Sequence, residues 1–232
     1  MEYLPNGFTL EPAGGSFPLS TDSMVLGHFA KLSKNASVLD LGSGCGTLGL
    51  LLCSKEESCT ITGLELEEKA HLAALQNIRR NCLQGRMISI CADLRSVSDR
   101  FSPGSFSCCI SNPPYFSGGP ASAAFTAARR EDTCTPEDLF RAAGFCLKYG
   151  GDFFLVHRPE RLAELIARAS ENKLEAKRLL LLRHKEGGPI SLIFLAFRKG
   201  GKPGLIIEEQ ALFDQSGTPT PFYRQVYHLD HA

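Results

Sequence analysis

Charge of one sign is missing from this 232-residue chain: 25 basic residues stand against 25 acidic ones, and the isoelectric point is near 7.0. A balanced chain lacks the global basic footprint of many nucleic-acid binders, so any contact with a polyanion must come from a local patch. Long apolar runs are missing too. Nothing approaches the roughly 18 apolar residues of a membrane span, and no leader-like segment opens the chain. A cytoplasmic protein with no membrane association is expected. The nine cysteines contain no C-x-x-C pair, which argues against a zinc site and a disulfide framework, and no metal is expected. Cys59, Cys91, Cys108 and Cys109 lie in apolar runs, where a thiol behaves as a small hydrophobe. Repeats, low-complexity tracts and an interdomain linker are likewise absent.

What is present reads as one α/β unit. Hydrophobic residues make up 43% of the chain, enough for a sizeable core. Residues 1–34 are expected to form an N-terminal extension, irregular or hairpin-like over 1–19 through its Gly and Pro positions. A helix then runs over Ser20–Lys34, capped by Ser20 or Thr21. Over 35–232 strand and helix alternate. Strands are expected at Val38–Leu41, Thr60–Glu65, Met87–Ala92 and Phe106–Ser111, and at Phe153–Val156 after a turn at Gly150-Gly151. Arg178–Leu182 and Ile190–Phe197 follow with no helix between them, which predicts an antiparallel hairpin. The C-terminal stretch adds a final strand. The fold expected is a Rossmann-like, seven-stranded, mostly parallel sheet with a C-terminal antiparallel hairpin and helices on both faces.

Asn112-Pro113-Pro114-Tyr115 is the most informative segment. It follows a buried strand, and two prolines remove two backbone donors and stiffen the exit. An amide oxygen, a rigid carbonyl and a flat ring then suit a planar substrate with an exocyclic NH2 group. The bland alternative is a proline-rich strand exit with a surface tyrosine.

Asp40-Leu41-Gly42-Ser43-Gly44-Cys45-Gly46 joins the first strand to the next helix. Its glycines permit a tight turn and close approach of a ligand to the backbone. Gly44, Gly46 and Gly49 also satisfy the dinucleotide spacing, with Glu65 near the position of a ribose-binding acid, so a dehydrogenase competes here. Asp40 shifts the balance: a carboxylate at the loop entrance repels a pyrophosphate but suits a positively charged ligand. Asp93 follows the third strand, placed for an adenine amine, and the terminal hairpin differs from a doubly wound dehydrogenase sheet. Together these describe S-adenosylmethionine, held by Asp40, Gly42, Ser43, Gly44 and Gly46, with Glu65 on the ribose, Asp93 and Leu94 on the adenine, and Asn112 beside it. Singly, each acid reads as a helix cap or a solvated charge.

With these motifs the chain resembles the class I S-adenosylmethionine-dependent methyltransferases that carry an N/D-P-P-Y/F motif. Within them it resembles the bacterial tRNA1(Val) (adenine-37-N6)-methyltransferase family. The resemblance runs from Phe17-x-Leu19-Ser20-Thr21-Asp22-Ser23-Met24 through the glycine loop and Ser111–Phe116 to Ala128-Arg129-Arg130-Glu131. The chain departs from that family in having Arg130 where His is usual, and in lacking a double-proline segment near Glu209-Gln210-Ala211-Leu212. The resemblance implies N6-methylation of a tRNA adenine, in the anticodon loop of a valine tRNA. Asn112 and the Pro113 carbonyl would accept from the amine, Pro114 would stiffen the motif, and Tyr115 would stack on the base. Phe116, Arg129 and Arg130 are expected on the RNA side. Related motifs serve in release-factor glutamine methylation, whose enzymes carry an extra N-terminal helical domain for which the stretch before Val38 is short, and in guanine-N2 methylation of ribosomal RNA. Arg183-His184-Lys185 and Arg198-Lys199 with Lys202 are further basic clusters. His28, His71 and His157 read as structural.

Overall fold

Val38 and Leu39, Cys108 and Cys109, and Phe153 and Phe154 are neighbours that point to opposite faces of their strands, yet all are buried. A strand apolar on both sides needs cover on both sides, the condition of a parallel sheet between helical layers. In the computed structural model, which describes residues 2–4, 7–12, 19–113 and 134–229, that sheet has eight strands.

In chain order, β1 (Glu2–Tyr3) and β2 (Thr9–Leu10) pair as a small antiparallel hairpin, followed by α1 (Thr21–Phe29). Then come β3 (Ser37–Leu41), α2 (Thr47–Lys55), β4 (Thr60–Glu65), α3 (Glu68–Arg80) and β5 (Met87–Cys91). A 3-10 turn over Leu94–Asp99 leads to β6 (Phe106–Ser111), α4 (Pro136–Cys146) and β7 (Leu147–His157). The chain closes with α5 (Leu162–Glu171), β8 (Leu174–Lys185), β9 (Ile190–Lys199), β10 (Ile206–Phe213) and α6 (Pro221–Val226). The strand order is β10-β8-β9-β7-β6-β3-β4-β5, and only β9 runs against the rest. The expected parallel strands and the β8–β9 hairpin are all present. The anticipated final strand, β10, joins as the eighth, parallel to β8. Residues of α1, α2 and α3 pack in one core with Val38, Ile110 and Phe154; residues of α4 and α5 pack in the other with Leu39, Cys109 and Phe153.

The sheet has eight strands where seven are expected, because β10 adds to the outer edge of β8, and two further expectations are corrected. The first helix stops at Phe29 rather than Lys34, because distant side chains take its last carbonyls. The Lys55 ammonium donates to the carbonyls of Gly27, His28 and Ala30, and Arg178 donates to that of Phe29 while lying 4.3 Å over its ring. Second, Gly150-Gly151 is no turn before a strand but a bulge inside β7. The register against β6 jumps from Phe106–Leu147 to Cys108–Asp152. Gly150 sits at φ +79°, and a Cβ on Gly151 would meet the Ser107 carbonyl at 2.9 Å.

Candidate active site at the carboxyl edge of the sheet

The strand order reverses between β3 and β6, and a ligand crevice forms where the carboxyl ends of strands diverge at such a point. The glycine loop leaves β3 there. Gly42 and Ser43 both donate to the Leu64 carbonyl, at 2.9 and 3.1 Å, tying the loop to the end of β4. Gly42, Gly44 and Gly46 all take left-handed φ, which only glycine adopts without strain. Gly63 of β4 stands beside Asp40 in register, and a Cβ on it would lie 2.7 Å from the Ser43 hydroxyl. The bare backbone of β4 thus makes room for the loop.

Asp40 is fully buried, and neither carboxylate oxygen has a hydrogen-bond partner among the described residues. Burial, with the Glu65 charge adding to it, pushes this carboxyl up to about 8. A buried acid in that state is stabilised by a cation. Glu65 instead accepts from the backbone N–H of Gly44 at 2.7 Å and of Glu67 at 2.8 Å, bracing the loop while each oxygen keeps further acceptor capacity. Asp93 lies just beyond β5 and caps the 3-10 turn through Arg95 N–H. Its other oxygen takes both Nε and Nη2 of Arg95, which holds its carboxyl below the usual range. Leu94 is half-buried against the second core. Asp40, Glu65 and Asp93 therefore line up on three adjacent strands, as the sequence suggests, though Asp93 is already committed to Arg95.

Asn112 follows β6, and its Nδ2 donates to the Ser23 hydroxyl at 3.0 Å. Ser23 sits in the first turn of α1, where Ser20 caps the helix by accepting from Ser23 N–H. An amide whose nitrogen donates to Ser23 presents its Oδ1 as the acceptor end. Pro113 beside it is buried, and Ser111 anchors the strand end by donating to the Leu41 carbonyl at 2.7 Å. Pro114, Tyr115, Phe116, Arg129 and Arg130 lie outside the described residues.

Two further residues escape motif reading. Asn77 and Asn81, one turn apart on α3, grip the N-terminal segment as a strand edge would. Asn81 accepts from Thr9 N–H and donates to the Thr9 carbonyl, both at 2.8 Å. Asn77 accepts from Glu11 N–H and donates to the carbonyls of Glu11 and Cys45. The second of these carbonyls belongs to the glycine loop, so buried Asn77 links that loop to the N-terminal segment. The i,i+4 asparagine spacing was the available signal.

The basic clusters separate by edge. Arg183, His184 and Lys185 close β8 on the same edge as Asn112. Arg198 and Lys199 close the reversed strand β9, so they and Lys202 lie at the opposite edge. There Arg198 pairs with Asp152, and Lys199 donates to the Leu147 carbonyl. His71 bonds to the Ser89 hydroxyl at 2.8 Å, and His157 is buried at the end of β7. No helix among the described residues is long and apolar enough to cross a membrane.

A reversed strand at one side of the sheet, a left-handed glycine loop and acids on three adjacent strands define the Rossmann-like methyltransferase class. A crystal structure described as a predicted O-methyltransferase from Agrobacterium tumefaciens superposes with a TM-score of 0.75 at 21% identity, covering 90% of this chain and 96% of that one. Geranyl diphosphate C-methyltransferase from Streptomyces coelicolor A3(2), solved with S-adenosyl-L-homocysteine, gives 0.59 at 12% identity over 76% of this chain and 78% of that one. Residues 20–175 match the methyltransferase small domain, and the chain belongs to that family. Among curated relatives, the tRNA1(Val) (adenine(37)-N6)-methyltransferase of Shewanella halifaxensis (strain HAW-EB4) is 31% identical over 78% of this chain and 74% of its own length. The protein of that name from Shewanella sp. (strain MR-4) is 31% identical over 87% and 92%. The methyl donor is S-adenosylmethionine, and the residues present fit it: a buried carboxylate with no partner among the described residues, which could face its ammonium group, and a loop whose three glycines allow close approach.

Proposed function

We propose that this protein methylates N6 of an adenine in tRNA, at position 37 in the anticodon loop of a valine tRNA. The observation that carries the reading is the fixed Asn112 amide, one strand from Asp40 at the switch point. An adenine amine is a poor nucleophile because its lone pair is delocalised into the ring. Asn112 Oδ1 and the Pro113 carbonyl accept from the two N–H groups, turning the lone pair out of the ring plane. Asn112 thereby holds the nucleophile in line, and alignment in a fixed polar frame is the main catalytic term. No strong base is required, because the amine proton becomes acidic only after methylation. When bound, S-adenosylmethionine supplies an electrophilic methyl on sulfonium; Asp40 would hold its ammonium group, the Gly42–Gly46 loop its methionine portion, Glu65 its ribose, and Asp93 and Leu94 its adenine. Tyr115 and Phe116 would stack on the extruded base, with Arg129 and Arg130 on the RNA backbone. The names of the relatives support the tRNA assignment.

Incubation with labelled S-adenosylmethionine and total bacterial tRNA, followed by nucleoside mass spectrometry, tests the reading. N6-methyladenosine 3′ of a valine anticodon is expected. N2-methylguanosine in ribosomal RNA, or methylglutamine in a release-factor peptide, without a methylated tRNA adenine would move the substrate elsewhere.

A further inference from the structure

We propose that the tip of the β8–β9 hairpin and α6 form a second RNA subsite, which takes the strand flanking the target adenine; this rests on the RNA-methylation reading above. A file of rings leads from the catalytic asparagine to this tip. Thr21, two residues before the Ser23 that holds Asn112, bonds to the Tyr227 hydroxyl at 3.2 Å. Tyr227 stacks on Tyr223 with centroids 4.4 Å apart, Tyr223 meets Phe213 at 5.1 Å, and Phe213 meets His184 at 5.1 Å. The file ends in exposed His184, with exposed Lys185 beside it and exposed Arg224 following Tyr223. Lys185 and Arg224 have no ion-pair partner among the described residues.

Between the hairpin tip and α6 lies an open groove of about 360 Å³, lined by Arg183, Glu186, Gln210 and Phe222 among others. That falls within the roughly 300–1,000 Å³ of small-ligand sites, room for a nucleotide. Of the neighbouring acids, Glu209 is paired with Arg183, and Asp214 is occupied by the 216–218 turn. Exposed Glu186 remains, and Asp214 keeps its negative charge while accepting from that turn, so two acids stand near the two exposed cations. β8 stands three strand spacings from β6, about 14 Å. A single strand anchored by its target base at Asn112 spans that distance in a few nucleotides. The exposed His184 ring, backed by Phe213 and Tyr223 packed on the core, offers a face to a base; with cations for phosphates and a polar groove it supplies the components of single-strand recognition. Their placement on the edge of Asn112 selects RNA as the occupant.

The test is fluorescence anisotropy of a labelled anticodon stem-loop RNA on protein saturated with S-adenosylhomocysteine. The variants are His184→Ala with Lys185→Ala and Arg224→Ala, each exposed, and Lys202→Glu at the opposite edge as control. The triple variant is expected to bind RNA at least tenfold more weakly with unchanged S-adenosylhomocysteine affinity. Its salt dependence should be shallower by about 1.4, for two cations lost on a single strand. Lys202→Glu should bind as wild type. RNA affinity within twofold of wild type in the triple variant, or an equal loss in the control, overturns the subsite, as does a wild-type protein that binds no RNA. Because the readout is binding, a weakened triple variant supports the subsite even where nucleoside analysis finds no methylated tRNA adenine, an outcome that strikes only the assigned reaction.

Discussion

The Asn112 side-chain nitrogen lies 3.0 Å from the Ser23 hydroxyl, joining the strand exit that carries the amide proposed to orient the nucleophile to the first turn of α1. An amide can turn about its last torsion, and this bond decides which of its ends faces the substrate. Ser23→Ala removes the acceptor without touching the amide. Turnover should fall about ten- to a hundredfold, the scale of a misplaced reacting group, while S-adenosylhomocysteine affinity holds. Asn112→Ala should abolish turnover and also keep most cofactor affinity. Steady-state kinetics with calorimetry checks both, and full turnover in Ser23→Ala would show that the bond does not orient the amide.

With Asp40 facing the cofactor's ammonium group as proposed, cofactor binding should be linked to loss of a proton. Burial raises its carboxyl from 3.8 to about 8, so the cofactor-free protein carries a proton there at pH 7 that the unfolded chain does not. Between these two values the folded state binds more protons, and its stability therefore falls as pH rises from about 4 to about 8. An ammonium group brought beside Asp40 favours the carboxylate, so about one proton should leave on binding S-adenosylhomocysteine at pH 7. Calorimetry in buffers of different ionisation enthalpy measures it. Asp40→Asn should release none and flatten the stability profile in that window. A binding enthalpy independent of buffer in the wild type would refute the linkage.

Much of this architecture is legible in the sequence because its causes are local. Strands apolar on both faces, such as Cys108–Ser111, announce a covered parallel sheet, and Asp40, Glu65 and Asp93 sit at or just past strand ends where position follows from counting. What escapes the sequence depends on partners far along the chain. The helix stop at Phe29 is written in Lys55 and Arg178, the orientation of Asn112 in Ser23, and the commitment of Asp93 in the fold of the turn that brings Arg95 onto it. The glycine pair at 150–151 carries the signature of a turn, and only pairing with β6 makes it a bulge.

Asn77 couples the N-terminal segment to the glycine loop, so its loss should be felt at both. Asn77→Ala strands the Glu11 N–H and the carbonyls of Glu11 and Cys45, and a buried polar group without a partner costs about 1–3 kcal/mol. Glu11 is exposed and its two groups can turn to water, so urea unfolding should show a loss of about 1–3 kcal/mol, the cost of the one buried Cys45 carbonyl. S-adenosylhomocysteine should also bind more weakly. Asn81→Ala touches only Thr9 and its own helix, so it should expose residues 7–12 to limited proteolysis while leaving cofactor affinity near wild type. Equal cofactor affinity in both variants would show that Asn77 does not support the loop.

Gly63 sets the space in which the glycine loop sits. A Cβ there would lie 2.7 Å from Ser43 Oγ, closer than real contacts allow, and 3.0 Å from Ser43 Cβ, tight enough that the neighbour must give. The Ser43 hydroxyl can turn about χ1, but its Cβ is set by the backbone, whose N–H is fixed to the Leu64 carbonyl beside that of Gly42. Gly63→Ala should therefore displace the loop rather than one rotamer. Overpacking of this kind costs about 1–3 kcal/mol, and the same displacement should weaken S-adenosylhomocysteine binding about tenfold. Adding Ser43→Gly removes the clashing side chain and should restore both stability and affinity. Calorimetric titration of the single and double variants decides it: a Gly63→Ala protein that binds as wild type would mean that the loop takes its place independently of the bare strand beneath it.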